Sequence, residues 1–376
     1  MESSKDRLLK AINHVEPETV PVSIVAFDDV DRWLTRFDAR DNVELRLKLG
    51  LDIHTGLAVY TGGNTARGLD IWGCDADVMG ARGTGYGTTR SHLPLAGAAT
   101  VSDVDRCPWP DPDDFDYEVA ARVLRTLPTD TARWVKAAYG PLLENRSTVE
   151  AARGGGPWMP VLCTVFNMMG MERALVAMHS EPAIVEAAIA HVEEFLLEYS
   201  RRLIRATGGL ADVFYLGDDF AGQTGMLLSP EAWRRFLKPA YRKIIGLARS
   251  HGLKVWFHSC GTFRPVMPDL IDLGIDVWET VQAHLPGNEP EFLKREYGRH
   301  IAFFGGISTQ QTLPFGSPDQ VRAEVRERIR VLGEGGGYIC GGDHTIMPET
   351  PIENAQAMID EAKRYRRAER QVPPRI

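Results

Sequence analysis

The chain has 376 residues, enough for one large domain or two ordinary ones, and with 44% hydrophobic and 25% charged residues it can bury a full core without metal or disulfide staples. A formal net charge of −8 with no basic run excludes an electrostatic footprint for nucleic acid or an anionic membrane. Five scattered cysteines argue against a disulfide framework, the charged N-terminus has no apolar signal-peptide core, and no run approaches the ~18–20 apolar residues of a membrane span, so the expectation is a cytoplasmic protein with reduced thiols.

In chain order, short apolar runs alternate with polar or glycine-bearing breaks and amphipathic helices, which predicts a parallel α/β fold. Runs at 20–26, 53–60, 134–138, 159–165, 213–216, 254–258, 275–278, 301–304 and 337–340 read as strands. Nine runs are one more than a (β/α)8 barrel of the TIM type uses, so one of the first three is expected outside it. The stretch 61–116 is rich in Gly, Pro, Asp and Thr and reads as an elaborated loop or small β excursion over one barrel face. Its GARGTGYGTTR glycines lack the flanking strand and helix of a phosphate loop. Ser180-Glu181-Pro182 predicts a helix start with Ser180 as N-cap. The apolar face of that helix runs through Ile184, Ala188, Ile189, Val192, Leu196, Tyr199 and Leu203, and Gly208 and Gly209 end it. Ser229-Pro230-Glu231 opens another helix, and Ser317-Pro318-Asp319 a third that closes at Gly333. The expectation is a single barrel domain over 1–365, with 61–116 insertion-like and a frayed tail at 366–376.

Catalytic groups in such a barrel sit at the carboxyl ends of its strands. Asp218 and Asp219 follow VFYLG, and His258, Ser259 and Cys260 end or follow KVWF. Glu279 follows IDVW with Gln282 close behind, Gly305, Gly306 and Gln310 follow IAFF, and Cys340, Asp343 and His344 end or follow GGYI. In the His258-Ser259-Cys260 step, an extended backbone puts imidazole and thiol on one side. A third soft ligand from a late strand, Cys340 or His344, completes a three-ligand zinc site with one open position. The alternative for each residue alone is a small buried hydrophobe or a hydrogen-bonded structural histidine.

Adjacent carboxylates on an extended chain point opposite ways, so one of Asp218 and Asp219 is expected to face the mouth as an acid, base or orienting group, and the other to N-cap the segment that follows. Glu279 is a candidate partner for an imidazole or a fourth ligand, against a solvated loop carboxylate. Gln223, Gln282, Gly306 and Gln310 are candidates for holding substrate; for Gly306 the bland reading is a tight turn.

RLLKAINHVEPETVPV, YLGDDFAGQTGMLLSPEAWRRFLKPAYRKII, VWFHSCGTFRPVMPDLIDLGIDVWETVQ and FFGGISTQQTLPFGSPDQVRAEVRERIRVLGEGGGYI resemble the uroporphyrinogen-decarboxylase superfamily over nearly the whole chain. That resemblance implies a (β/α)8 barrel, a homodimer, and one of two chemistries. True decarboxylases carry an arginine-rich stretch after the first strand; here VPVSIVAFDDVDRW has acids instead, which would repel a polycarboxylate. The superfamily's thiol methyltransferases carry an H-x-C pair, here His258 and Cys260, and a later cysteine whose place is taken by His344 when Ile346, Pro348 and Pro351 are aligned.

The reading that follows is a zinc-dependent methyltransferase. It moves a methyl group between a small methylated substrate, or a corrinoid presented by a partner protein, and a thiol or corrinoid acceptor. Asp218 or Asp219 and Gln223 would orient the substrate. The alternatives are a metal-free decarboxylase or lyase of a small acid, using Asp219 and His344, and a non-catalytic corrinoid- or tetrapyrrole-binding protein.

Overall fold

A computed structural model describes residues 2–64, 67–75, 92–141 and 159–365. Seven parallel strands run in the order of the chain: β1 (Ile53–Tyr60), β2 (Ala132–Pro141), β3 (Val213–Gly217), β4 (Lys254–His258), β5 (Val277–Val281), β6 (Ala302–Ile307) and β7 (Tyr338–Gly342). The short strand Phe115–Asp116 pairs antiparallel with the end of β1, within the described part of the 61–116 stretch. The GARGTGYGTTR glycines and the 366–376 tail lie outside the described residues.

The eighth stave is the segment 20–28. On one side it bonds to β7 and the chain beyond it, through Cys340 N to Pro21 O at 2.8 Å, Ser23 N to Cys340 O at 3.0 Å and Ile346 N to Ala26 O at 2.8 Å. On the other, Asp52 N donates to Val22 O at 2.9 Å and the Asp52 carboxylate accepts the Val22 N–H at 2.7 Å. A side chain thus stands in for a ladder partner between this segment and β1, and Arg7 grips the same carboxylate at 2.7 Å. The barrel is closed at that seam by a buried ion pair beside sparse backbone bonding.

Two expectations are corrected. The surplus run is the fourth, 159–165, not one of the first three. Met159 N makes one bond to Ala137 O, Pro160 has no N–H to continue, and the chain turns into the helix Leu162–Met169. Ser180 is the last residue of the helix Met171–Ser180, so Pro182–Thr207 starts at Glu181 without a side-chain cap. That helix does end at Gly208, which is left-handed at φ 55°. Ser229 caps Pro230–Phe236, and Ser317 with Gln320 forms a capping box on Pro318–Leu332.

Side chains alternate about the barrel wall. Ile53, Ala132, Trp134, Val213, Tyr215, Trp256, Val277, Ala302, Phe304 and Ile339 fill the interior, and Leu8, Ala11 and Ile12 of the helix Ser4–Ile12 pack against the same cluster. Their neighbours Val135, Phe214, Val255, Trp278, Phe303 and Cys340 join the larger core that the helices cover. The interior below the mouth is therefore a packed floor, and the strands' carboxyl ends are left for chemistry.

Candidate active site

Strand register sets the site. Gly217 pairs with His258, and His258 with Glu279, so β3, β4 and β5 end abreast. Inward parity on β3 runs through Val213 and Tyr215, and two further steps reach Asp219. On β4 it runs through Trp256 to His258 and on to Cys260. The side chains of His258, Cys260 and His344 converge there, each offering one donor atom with all three atoms within 4.8 Å of one another. Cys260 Sγ lies 3.6 Å from His258 Nε2.

Around this trio the hydrogen bonds all serve orientation. Glu279, buried, approaches His258 Nδ1 at 2.9 Å and accepts from Trp256 Nε1 at 2.6 Å and Tyr215 OH at 3.2 Å. With Nδ1–H given to a carboxylate, Nε2 is the ring nitrogen that faces Cys260. Asp219 Oδ1 accepts the Cys260 N–H at 3.0 Å and sits 3.6 Å from His258 Nε2. Gln282 accepts the Gly261 N–H at 2.8 Å, and Asn288 donates to Gly261 O at 3.0 Å. Gly261 itself has φ 81°, and a Cβ there would fall 2.3 Å from Gly222 O, so only glycine lets the loop pass.

The electrostatics favour a thiolate. Burial pushes the Cys260 thiol up, but the His258 charge, with hydrogen bonds from His258 and His344, brings it below the ordinary thiol value. Burial pulls His258 and His344 down, but Cys260 together with Asp219, and for His258 also Glu279, raises each above the usual imidazole value. Burial raises Asp219, yet His258 and the Cys260 amide hold it at about 2. Glu279 stays below its normal range against burial, through His258, Lys136 and Trp256. One thiolate and two imidazoles within 4.8 Å of one another are a donor set that fits a tetrahedral soft-ligand metal ion with a fourth position left for another ligand.

Other candidates fall elsewhere. Asp218 has the opposite parity, and its carboxylate accepts the backbone N–H groups of Leu162 and Cys163 and the Tyr241 hydroxyl. It caps the helix Leu162–Met169 and does not face the trio. Cys340 points outward into the helix-covered core because Ile339 takes the inward position, and burial pushes its thiol up to about 12. Of the two candidate third ligands, only His344 is near the pair. Gln282 is committed to the Gly261 amide rather than to substrate. Gly306 O accepts from Arg328 Nε at 3.0 Å, and a Cβ would meet Tyr338 and Arg328, so this residue of β6 packs against the outer side of the barrel. Gln223 and Gln310 are exposed and bonded to each other at 3.1 Å.

Three groups near the floor and mouth escaped sequence reasoning. Lys136, on β2, lies 4.2 Å over the Tyr215 ring. Arg46 donates through Nη2 to Ile24 O and Val25 O at 2.7 and 3.1 Å. His284 Nδ1 lies 3.3 Å from Asp343 Oδ2. A lysine inside the apolar run WVKAA, two residues after the inward Trp134, was a usable signal; Arg46 and His284 had none.

Residues 144–365 match the family model described as uroporphyrinogen decarboxylase (URO-D). A methylated-thiol–coenzyme M methyltransferase of Methanosarcina mazei is 26% identical over 55% of this chain and 53% of its own length. The methylcobamide:CoM methyltransferase MtaA of Methanosarcina barkeri is 24% identical over 56% of this chain and 60% of its own, and a uroporphyrinogen decarboxylase of Prochlorococcus marinus 24% over 63% and 64%. The matches thus span little more than half the length of these curated relatives. A solved methyltransferase from Methanosarcina mazei superposes with a TM-score of 0.65 at 21% identity, over 97% of this chain and 99% of that one, which shows the shared barrel fold. By the extent of the family match, the chain belongs to the uroporphyrinogen decarboxylase (URO-D) family.

Proposed function

We propose that this protein is a zinc-dependent methyltransferase, moving a methyl group between a small methylated substrate or a corrinoid and a thiol or corrinoid acceptor. The observation that carries the reading is the convergence of His258, Cys260 and His344 donor atoms within 4.8 Å at the strand ends. The methyltransferase names of two relatives support it. His258 Nε2, Cys260 Sγ and a ring nitrogen of His344 would hold the ion. Zinc, when bound, supplies a Lewis acid that lowers the pKa of an incoming thiol and keeps it nucleophilic at neutral pH.

The chain's own residues do the positioning. Glu279 fixes the His258 tautomer, and Trp256 and Tyr215 fix Glu279. Asp219 holds the Cys260 backbone beside His258. Attack on a methyl group is in-line and needs alignment more than proton transfer, and this rigid ring of hydrogen bonds provides it. The acids Asp28 and Asp29 follow the first stave, a poor setting for a substrate bearing many carboxylates. The corrinoid would be presented at the open mouth by a partner protein.

Methylcobalamin with a simple thiol tests the reading. Zinc-loaded protein is expected to convert the pair to cob(I)alamin and a methyl thioether, followed by the corrinoid absorbance under anaerobic conditions, and Cys260→Ser to abolish it. Equal rates with and without protein across several thiols and methylated donors would overturn it.

A further inference from the structure

Two neighbouring residues of β5 serve the two ligands of the His258-Ser259-Cys260 step. Glu279 meets His258 Nδ1 at 2.9 Å, and Thr280 Oγ1 donates to Cys260 Sγ at 3.6 Å, a normal length for a hydrogen bond to sulfur. Both residues are buried. Successive side chains of a regular strand point to opposite faces. Here the register between β5 and β6 slips between Glu279 and Val281, and an irregularity of this kind re-aims a side chain. The strand thus brings an acceptor to the imidazole and a donor to the sulfur, one residue apart.

The acceptor that Thr280 uses is informative. A buried hydroxyl needs a partner, and a neutral thiol is a weak one. A thiolate is a good one, because hydrogen bonds to an ionised group are the strong ones. Among the described residues Thr280 Oγ1 makes no other hydrogen bond, so it is committed to Cys260.

The donor set gives that bond a use. Cys260 supplies the one sulfur among the three donor atoms of the trio. When a thiol acceptor joins it as a thiolate, two sulfurs of one chemical kind face the same methyl donor. A methyl group on Cys260 would leave an uncharged thioether, a poor ligand in place of a good one. Attack draws charge off the attacking sulfur and so weakens any hydrogen bond made to it. A sulfur that carries such a bond meets an extra barrier, and one without it does not. Because the hydroxyl is engaged by Cys260, the chain's own thiolate is the one held back.

We propose that Thr280 is a positioning residue that keeps Cys260 a ligand and spares it from methylation, so that the methyl group goes to the acceptor's sulfur. This rests on the methyl-transfer reading for the identity of the methyl donor, while the restraint on Cys260 reactivity stands on the hydrogen bond alone.

The test treats zinc-loaded and metal-free protein with methyl iodide and follows each cysteine by peptide mass spectrometry. In that reaction Cys260 Sγ forms the S–C bond, and iodide leaves with the electron pair of the C–I bond. Thr280→Val is expected to raise the methylation rate of Cys260 about three- to tenfold over wild type, the share of a charge-assisted hydrogen bond that is given up on attack. Thr280→Ser, which keeps the hydroxyl, should react at the wild-type rate. In cobalt-loaded protein the thiolate-to-cobalt absorption band should move to longer wavelength in Thr280→Val and stay in place in Thr280→Ser, a signature that a purely packing role leaves unmoved. Cys107, partly exposed in the 61–116 stretch, is the internal reference. Faster reaction at the buried Cys74 or Cys340 would mark a disturbed fold, and Thr280→Ala then carries the same comparison. Equal Cys260 rates in wild type and Thr280→Val, or a serine variant that reacts like the valine one, overturns the proposal. Protein that takes up neither zinc nor cobalt would count against the metal-centred methyl-transfer reading, and the metal-free rates still decide the role of Thr280.

Discussion

His258 and Glu279 are paired residues of neighbouring strands, and their side chains meet at 2.9 Å on the inner face of the barrel. The backbone ladder itself therefore delivers the imidazole to its orienting carboxylate. Because Nδ1 faces Glu279, Nε2 is turned toward Cys260 and His344, and the metal-ligand geometry is fixed before any ion arrives.

Glu279→Gln tests that relationship. The amide keeps the shape but not the charge that holds the His258 tautomer. Metal affinity, measured by competition with a chelating dye, is expected to fall about 10–100-fold. An unchanged affinity would mean that Glu279 supports the floor and not the ligand.

Asp218 should behave as a structural acid. Burial outweighs its three donors and raises its carboxyl to about 6, above the ordinary aspartate value of 3.8. The folded state thus holds the proton more tightly than the unfolded chain between those values. Its contribution to stability is lost as pH rises through 6 and is fully present below the ordinary value. The thermal midpoint of wild type relative to Asp218→Asn should accordingly grow as pH is lowered from 7 toward 4, with metal content equal in the two. A difference that does not move with pH would contradict this.

The seam between the segment 20–28 and β1 depends on Asp52. Removing its carboxylate in Asp52→Ala strips Arg7 and the Val22 N–H of their partner at once. Breaking a buried pair from one side costs about 3 kcal/mol or more, read as a shift in the urea unfolding midpoint. A shift near zero would show that the junction of 20–28 with β1 holds without this pair.

Much of this was legible in the chain. Eight of nine apolar runs are staves, because parallel strands buried on both faces read as continuous apolar stretches. The ninth, 159–165, has the same composition, and what makes it a helix is Pro160 together with Asp218, more than fifty residues away, whose carboxylate caps it. Strand-end position was enough to single out His258, Cys260, Glu279 and His344. It could not rank Cys340 against His344; the decisive fact is the parity of β7, where Ile339 faces in. Nor could it find Arg46, which comes from a helix between two staves and reaches the mouth only because the seam there is held by side chains.

The most direct test of the account is elemental analysis of the purified protein, wild type beside Cys260→Ser, His344→Ala and Cys340→Ser. The account predicts about one zinc per chain in wild type and in Cys340→Ser, and loss of zinc in Cys260→Ser and His344→Ala. Zinc absent from wild type even after reconstitution, or lost only in Cys340→Ser, would contradict it.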